Sequence, residues 1–197
     1  MGKIAALILA AGESERMNTP KMILPFDGKT IVEKVIENVI SSVVDKTFVV
    51  LGADNDKIVE IIKKYPVTYC YNDDYKNGML SSVQCGFRSI PPGYEAVLVF
   101  LGDQPMISPD VTDAIIGAFR QTNKGIVVPV CNKKRGHPIL VSFEYYMEIE
   151  NLETDKGLRF LAQKFPEAVH EVETSSVAIL KDIDTPEDYQ IQKNQIQ

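Results

Sequence analysis

The sequence of 197 residues has few of the side chains that build disulfide frameworks or zinc sites. It contains three cysteines, Cys70, Cys85 and Cys131, and two histidines, His137 and His170. The cysteines are odd in number, form no C-x-x-C pair and have no histidine at ligand spacing, so neither kind of site is predicted. Free thiols are typical of a reducing compartment, and a cytoplasmic location is expected.

The sequence also lacks a surplus of positive charge and a long apolar run. Its 21 Lys and Arg residues against 27 Asp and Glu residues give a formal net charge of -6. Neither nucleic acid nor an anionic membrane surface is therefore expected as a partner. The apolar run 4–11 is too short for a membrane span and leads into a polar loop, which predicts a buried strand rather than a signal peptide. Any anionic ligand must meet a local group of cations.

What the sequence does contain is an alternation of short apolar runs with amphipathic segments. Strands are predicted at 4–10, 47–51, 67–71, 96–101, 125–130, 138–142, 168–172 and 177–180. Helices are predicted at 31–40, 54–64, 79–90, 109–120, 143–151 and 155–165, with a short last helix capped at Thr185. This order predicts one domain, residues 1–197, with an α/β fold. A mostly parallel sheet would carry helices on both faces and bind ligands at the carboxyl ends of its strands.

The loop after the first strand is the first candidate for chemistry. Three small residues end that strand and allow backbone N–H groups to approach an anion: Ala10, Ala11 and Gly12. Arg16 and Lys21 add two cations within the next nine residues. A triphosphate would suit such a loop, although an ordinary turn with two solvated cations explains the same residues.

Two common phosphate-binding loops are absent from the sequence. Only Gly12 is present where a dinucleotide-binding G-x-G-x-x-G motif needs three glycines. Residues 28–30, Gly-Lys-Thr, match the end of the Walker motif G-x-x-x-x-G-K-[ST], but Ile23 stands where that motif needs its first glycine. We interpret Gly28-Lys29 as a turn before the first helix.

Residues 9–21 resemble the L-A-A-G-x-S-x-R-M-x-x-x-K signature of nucleotidyltransferases that couple a nucleoside triphosphate to a phosphorylated acceptor. Asn18 stands where that family usually has glycine. Because asparagine tolerates left-handed backbone angles, the turn is expected to persist. The signature is shared by several branches, including enzymes that act on sugar phosphates and isoprenoid precursors.

Five further segments are similar to those of the molybdenum cofactor nucleotidyltransferases. They are G-M-x-x-S-x-x-x-G at 78–86, G-D-Q/M-P at 102–105, G-H-P at 136–138, an altered G-D-x-G-x-R at 155–159 and D-I-D-T-P-E-D at 182–188. Their order over nearly the whole chain makes a chance match implausible. The chain thus resembles the molybdopterin cytidylyltransferase family of the MobA-like superfamily. Ala11, where the guanylyl-transferring branch tends to have glycine, favours CTP.

This resemblance implies a fold and a set of binding residues. The implied fold is a Rossmann-like three-layer sandwich of the nucleotide-diphospho-sugar transferase type. The implied nucleotide-binding residues are Leu9, Ala10, Ala11, Gly12, Glu13, Ser14, Arg16, Lys21, Asn72, Gly78, Ser81, Ser82 and Asp103. Among these, Lys21, Arg16 and Asp103 are expected to be catalytic. Lys21 would neutralise the α-phosphate, and Arg16 the β- and γ-phosphates.

Magnesium is the expected cofactor, held by Asp103 and Asp184. Asp103 follows the apolar run 96–101 after one glycine, which predicts a carboxylate at the edge of a central strand, where a triphosphate-bound cation could be held. The resemblance implies Asp184 as the second ligand. Structural alternatives exist for both, because Asp103 could cap a turn before Pro105 and Asp184 could accept amides before the last helix.

Other implied roles also have structural alternatives. Ser81 could cap a helix instead of contacting the base. Gln104 and His137 are the implied acceptor-binding residues, although a lone histidine at a strand entry is more often structural.

The expected reaction is transfer of CMP from CTP to molybdopterin with release of pyrophosphate. Since the acceptor is itself a phosphate, alignment and charge neutralisation can suffice without an activated side-chain nucleophile. Guanylyl transfer to the same acceptor and transfer to a sugar or alditol phosphate stay open. A non-enzymatic role as a nucleotide-binding maturation chaperone of a molybdenum hydroxylase also stays open. If the protein is an enzyme, transient contact with such a hydroxylase is expected as well.

Overall fold

The structure, a computed structural model, describes residues 2–17, 19–153 and 156–195. The strands in these ranges are β1 (Lys3–Ala10), β2 (Pro25–Phe26), β3 (Lys29–Thr30), β4 (Lys46–Leu51), β5 (Val67–Tyr71), β6 (Tyr94–Leu101), β7 (Ile126–Cys131), β8 (Lys134–Arg135), β9 (Ile139–Ser142) and β10 (Val169–Glu173). The α-helices are α1 (Ile31–Ile40), α2 (Asn55–Ile62), α3 (Met79–Ser89), α4 (Pro109–Gln121), α5 (Tyr146–Glu150), α6 (Leu158–Lys164) and α7 (Pro186–Asn194).

The main sheet has the order β10-β7-β9-β6-β1-β4-β5, with β8 paired to β7. β1 lies in its interior and pairs in parallel with β4 and β6, as β5 does with β4 and β10 with β7. Only β9, among the strands of this main path, runs antiparallel to both of its neighbours. The prediction of a mostly parallel sheet is confirmed.

The reversal of β9 follows from the short connection that precedes it. β7 turns back into β8 through Asn132 and Lys133, both with positive φ, as a tight two-residue hairpin requires. β9 begins only a few residues later. A parallel return needs a crossover of a dozen or more residues, so a connection of this length can only produce an antiparallel strand.

Alternate residues of β1 pack on opposite faces of the sheet. Ile4 and Ile8 belong to the core cluster that includes residues of α1, α2 and α4. Leu7 and Leu9 belong to the cluster that includes residues of α3, α5 and α6. Because β1 is covered on both sides, Ile4–Ala10 can be apolar throughout. The predicted three-layer sandwich is confirmed.

The structure shows both of the helix starts that were predicted from a threonine cap. The Thr30 side chain accepts the N–H of Glu33 while the Glu33 carboxylate accepts the N–H of Thr30. Thr185 and Asp188 form the same reciprocal pair at α7. These boxes involve residues three apart, so they form from local sequence alone.

Other sequence-based assignments need correction. The predicted strand at 177–180 is wrong, because Val177–Leu180 is a 3-10 helix. Its adjacent residues Ala178 and Ile179 are both buried, whereas a strand would turn them to opposite faces. The turn expected at 28–29 is formed by Asp27 and Gly28, which join β2 to β3.

Two of the positions to which the sequence analysis gave a meaning lie outside the described residues: Asn18, and Asp155, with which the helix predicted at 155–165 begins. Within the described ranges that helix is α6 (Leu158–Lys164). No described helix is long and apolar enough to cross a membrane. The prediction of a single domain over residues 1–197 stays a prediction.

Candidate active site

The site lies where the carboxyl ends of β1 and β6 meet. The N–H of Gly102 donates to the carbonyl of Leu9 at 2.9 Å. A Cβ at position 102 would lie 2.6 Å from that carbonyl oxygen, so only glycine allows this approach. Asp103 is thereby brought beside the loop that follows β1, as expected for an open parallel sheet.

A cavity of about 350 Å³ opens at this edge. It brings together many of the residues predicted from sequence: Leu9, Ala11, Gly12, Arg16, Lys21, Gly78, Ser82, Asp103 and Asp184. Sequence reasoning missed Tyr75, Met79 and Asp182, which also line it. Asp182 is the first residue of the D-I-D-T-P-E-D segment, so a sequence motif did mark it. The direction of its side chain, however, depends on the folded chain.

Lys21 joins two carboxylates that are distant in sequence. Its Nζ lies 2.5 Å from Asp103 Oδ2 and 2.9 Å from Asp184 Oδ1, across 82 and 163 positions of the chain. Arg16 Nη2 lies 2.7 Å from the other oxygen of Asp184. Lys21 and Asp103 are largely buried, with side-chain exposures of 11% and 14%.

The pKa values in this network reflect burial and charge. Burial opposes the charged form of Lys21, but Asp103 and Asp184 outweigh it and raise its pKa. Burial raises the pKa of Asp103; Lys21 opposes this shift, and Asp182 and Asp184 add to it. Burial would also raise the pKa of Asp184, but contacts with Lys21 and Arg16 hold it below its usual value. The pKa values of Lys21 and Asp103 are both raised although the two groups are paired. This is consistent because Lys21 faces two carboxylates, whereas Asp103 faces one ammonium and two further carboxylates.

Asp103 retains an oxygen that could bind a cation. Its Oδ1 is buried and has no hydrogen-bond partner in the part of the chain that the structure describes. Its carboxylate accepts no backbone N–H there, so the turn-capping alternative is not observed. No described group of three or more His, Cys, Asp or Glu side chains could hold a metal. Mg²⁺ typically takes one or two carboxylates and completes its shell with phosphate and water oxygens, and Asp103 and Asp184 fit that number of protein ligands.

Asp184 does not cap the last helix with its side chain. The carboxylate of Asp184 binds Lys21 and Arg16, whereas the N-cap of α7 is Thr185. The backbone N–H of Asp184 donates to Asp188 at 3.3 Å, which fixes the chain directly before the helix. Its carboxylate is therefore turned into the cavity.

Three predicted residues of the first loop do not line the cavity. The methyl group of Ala10 is fully buried, so this residue offers only its backbone. Ser14 Oγ accepts the N–H of Lys21 at 3.1 Å and thereby shapes the loop. Glu13 is exposed and lies 3.7 Å from Lys76 Nζ.

The polar group after β5 is mostly engaged with itself. Asn72 Nδ2 donates to Ser81 Oγ at 2.9 Å and to Ser82 Oγ at 3.0 Å, while its Oδ1 accepts the N–H of Asp74. Ser81 Oγ lies 2.8 Å from the carbonyl of Gly78. Asn72 and Ser81 therefore build the loop, and only Ser82 and Gly78 of this group line the cavity.

A second cavity, of about 360 Å³, adjoins the first and shares Leu9 and Met79 with it. Most of its lining is apolar, but it includes His137 and Arg159. Burial lowers the pKa of His137, although hydrogen bonding to the Val99 backbone opposes this, so the ring is neutral at pH 7. Its Nδ1 has no partner among the described residues. A neutral ring nitrogen of this kind accepts hydrogen bonds.

Gln104 is placed differently from His137. It is 3% exposed and lines neither cavity. Its Nε2 donates to Asp182 Oδ1 at 2.6 Å. The amide of Gln104 is thus turned towards Asp182, which lines the first cavity, and acceptor binding by the side chain at 104 stays a prediction. Arg159, which lines the second cavity, is the last residue of the altered motif at 155–159, and no role was predicted for it from the sequence.

Known proteins resemble this chain over most of its length. The family described as MobA-like NTP transferase domain matches residues 6–172. A molybdenum cofactor cytidylyltransferase of Escherichia coli K12 is 30% identical over 191 residues, which cover 96% of this chain and 95% of that protein. The nicotine blue oxidoreductase of Paenarthrobacter nicotinovorans is 25% identical over 191 residues, covering 93% of each.

A solved structure shares the whole fold. The crystal structure of Rv0371c from Mycobacterium tuberculosis H37Rv has a TM-score of 0.88 at 25% identity and covers 98% of both chains. The predicted nucleotide-diphospho-sugar transferase type of fold is confirmed. Because the family match spans most of the sequence and includes the loop after β1 with Arg16 and Lys21, and also Asp103, the chain belongs to the MobA-like NTP transferase family and is a nucleotidyltransferase.

Proposed function

We propose that the protein transfers CMP from CTP to molybdopterin, yielding molybdopterin cytosine dinucleotide and pyrophosphate with Mg²⁺ as cofactor. The observation that carries the proposal is the pair of adjoining cavities. One contains two cations and three carboxylates at the carboxyl edge of the sheet, and the other is largely apolar. A nucleoside triphosphate fits the chemistry of the first, and a flat heterocycle fits that of the second.

The transfer is an in-line displacement at the α-phosphorus of CTP. An oxygen of the acceptor's phosphate forms the new bond to phosphorus, and the bond to the β-phosphate oxygen breaks. Lys21 neutralises the α-phosphate and Arg16 the departing pyrophosphate. Mg²⁺ held by Asp103 and Asp184 would neutralise charge on the phosphates. Because the nucleophile is already anionic, the remaining task of the chain is alignment.

Ala11 supports cytosine as the base. Ala11 is one of the residues that line the first cavity, and its methyl group takes space that glycine would leave open. A pyrimidine needs less room than a purine. The cytidylyltransferase of E. coli, which is similar over nearly the full length of this chain, supports the same choice.

The second cavity supports a pterin rather than a sugar or alditol phosphate. Sugars are recognised through many hydroxyl groups and need many polar partners. The lining here is mostly apolar and includes His137 and the cation of Arg159. A pterin presents N–H donors on a flat ring, and its phosphate can meet a cation.

The test is pyrophosphate release with each combination of triphosphate and acceptor. Release with CTP and molybdopterin, and not with either one alone, is expected. Release with GTP in place of CTP would refute the base assignment, and release with a sugar phosphate but not molybdopterin would refute the acceptor. CTP binding without any release would favour the maturation chaperone. A cytoplasmic location and contact with a molybdenum hydroxylase stay predictions.

A further inference from the structure

The charges of the first cavity do not match a triphosphate as they stand. Three carboxylates, those of Asp103, Asp182 and Asp184, face the two cations Lys21 and Arg16, which leaves one negative charge in excess. Both cations already form salt bridges, Lys21 with Asp103 and Asp184, and Arg16 with Asp184. Among the described residues that line the cavity, a triphosphate therefore meets no cation that lacks a carboxylate partner.

Lys21 is the most constrained of these charges. Its ammonium contacts Asp103 Oδ2 and Asp184 Oδ1, the two carboxylates to which the divalent cation is assigned. Its side chain is only 11% exposed, so water cannot replace either partner readily. A divalent cation placed between the two carboxylates would have this ammonium as a close neighbour of like charge.

Each ligand alone would leave a buried charge without a partner. If a triphosphate drew Lys21 away, Asp103 would stay buried beside two further carboxylates. If a divalent cation bound to the carboxylates, Lys21 would be left beside that cation. When both ligands bind, Lys21 pairs with phosphate, and Asp103 and Asp184 pair with the metal, so each of these three groups keeps a partner of opposite charge.

We infer that Lys21 is the counter-ion of the Asp103–Asp184 pair in the free protein, and that the divalent cation and the triphosphate enter the site together by exchanging partners with it. The inference rests on the proposed function only in that the ligands are a triphosphate and a divalent cation. The coupling is reciprocal, because each ligand must raise the affinity for the other by the same factor.

The first experiment measures Mn²⁺ binding without nucleotide or acceptor, from the loss of the electron paramagnetic resonance signal of free Mn²⁺ at pH 8. Lys21→Met is expected to bind Mn²⁺ at least tenfold more tightly than the wild type, because its carboxylates lose their counter-ion. The matched control is Lys34→Met, which removes an equal charge from a surface pair with Asp27 and should leave the affinity unchanged. Equal affinities for folded Lys21→Met and wild type would overturn the inference.

The second experiment uses the wild type and does not depend on the folding of a variant. The side-chain ammonium resonance of Lys21 is followed by nuclear magnetic resonance on ¹⁵N-labelled protein. It is expected to shift when Mg²⁺ and a non-hydrolysable CTP analogue are added together, and to stay in place with the same concentration of Mg²⁺ alone. A shift of similar size with Mg²⁺ alone would overturn the inference.

Neither experiment includes an acceptor or measures turnover. A failure of CMP transfer to molybdopterin would therefore refute the proposed reaction without affecting them. Conversely, active transfer together with tight binding of free Mn²⁺ by the wild type would refute the exchange of partners and leave the reaction intact.

Discussion

Replacing Gly102 with alanine tests whether the close contact of β1 with β6 builds the site. The new Cβ would lie 2.6 Å from the carbonyl oxygen of Leu9 and 3.0 Å from Met22 Cε. Met22 can move, but Leu9 O belongs to the backbone of the central strand. Ordinary contact begins near 3.4 Å, so the two strand ends must separate by about 0.8 Å.

This separation has two expected consequences. Overpacking of this kind costs about 1–3 kcal/mol, which lowers the melting temperature by roughly 2–12 °C in a chain of this size. The shift also moves Asp103 relative to Lys21, and misplacement by nearly 1 Å can reduce turnover about 100-fold. Pyrophosphate release by Gly102→Ala is therefore expected to fall by much more than the loss of folded protein alone would explain.

The matched control is Gly117→Ala in the middle of α4. A Cβ at 117 would meet nothing within 4 Å, and alanine is the better helix former by about 1 kcal/mol. This variant should melt roughly 2–4 °C higher and keep its activity. Thermal unfolding and pyrophosphate release on the same preparations give both quantities. Wild-type stability and activity of Gly102→Ala would refute the reasoning.

Four further predictions concern single side chains. Asp103→Ala is expected to abolish pyrophosphate release while its circular dichroism stays native, and full activity would remove the metal role. Arg159→Ala should raise the KM for molybdopterin and not that for CTP; equal changes in both would contradict the two-cavity assignment. The pKa of Glu33 is lowered to about 2, because its lysine and threonine partners outweigh its burial. Its contribution to stability is therefore complete above pH 4.5 and lost as pH falls towards 2. In Glu33→Gln, the urea concentration at the midpoint of unfolding should depend less on pH in that window than in the wild type. Burial, together with Cys70, raises the pKa of Cys85 to about 11, so alkylation by iodoacetamide at pH 7.5 should be far slower than that of free cysteine, and equal rates would contradict the burial.

Local patterns were sufficient for much of the fold. The run 4–10 is apolar at every position, which predicts a strand buried on both faces, and the reciprocal pairs at Thr30 and Thr185 predict helix starts. Each of these features depends on residues within a few positions. The segment 177–180 was misassigned because four apolar residues satisfy a strand and a 3-10 helix equally well in sequence.

The candidate site could be predicted residue by residue but not as an arrangement. Sequence motifs indicated Lys21, Asp103 and Asp184 separately, yet their contacts cross 82 and 163 positions and depend on the order of the strands. The direction of a side chain is also set by the fold. Gln104 and Asp182 both occur in motifs, but only the packed structure turns the amide inward and the carboxylate to the cavity.

The reversed strand β9 has a consequence for where the chain can change in length. Because Ile139 pairs with Val99 near the end of β6 and Ser142 pairs with Ala96 near its start, the residues before β9 reach the ligand edge and those after it reach the far edge. There, the N–H of Ser142 donates to the carbonyl of Gly125 at 2.7 Å. Insertions next to these two residues would lengthen loops remote from the ligands, whereas a single residue added before Ile139 would displace His137 from the second cavity.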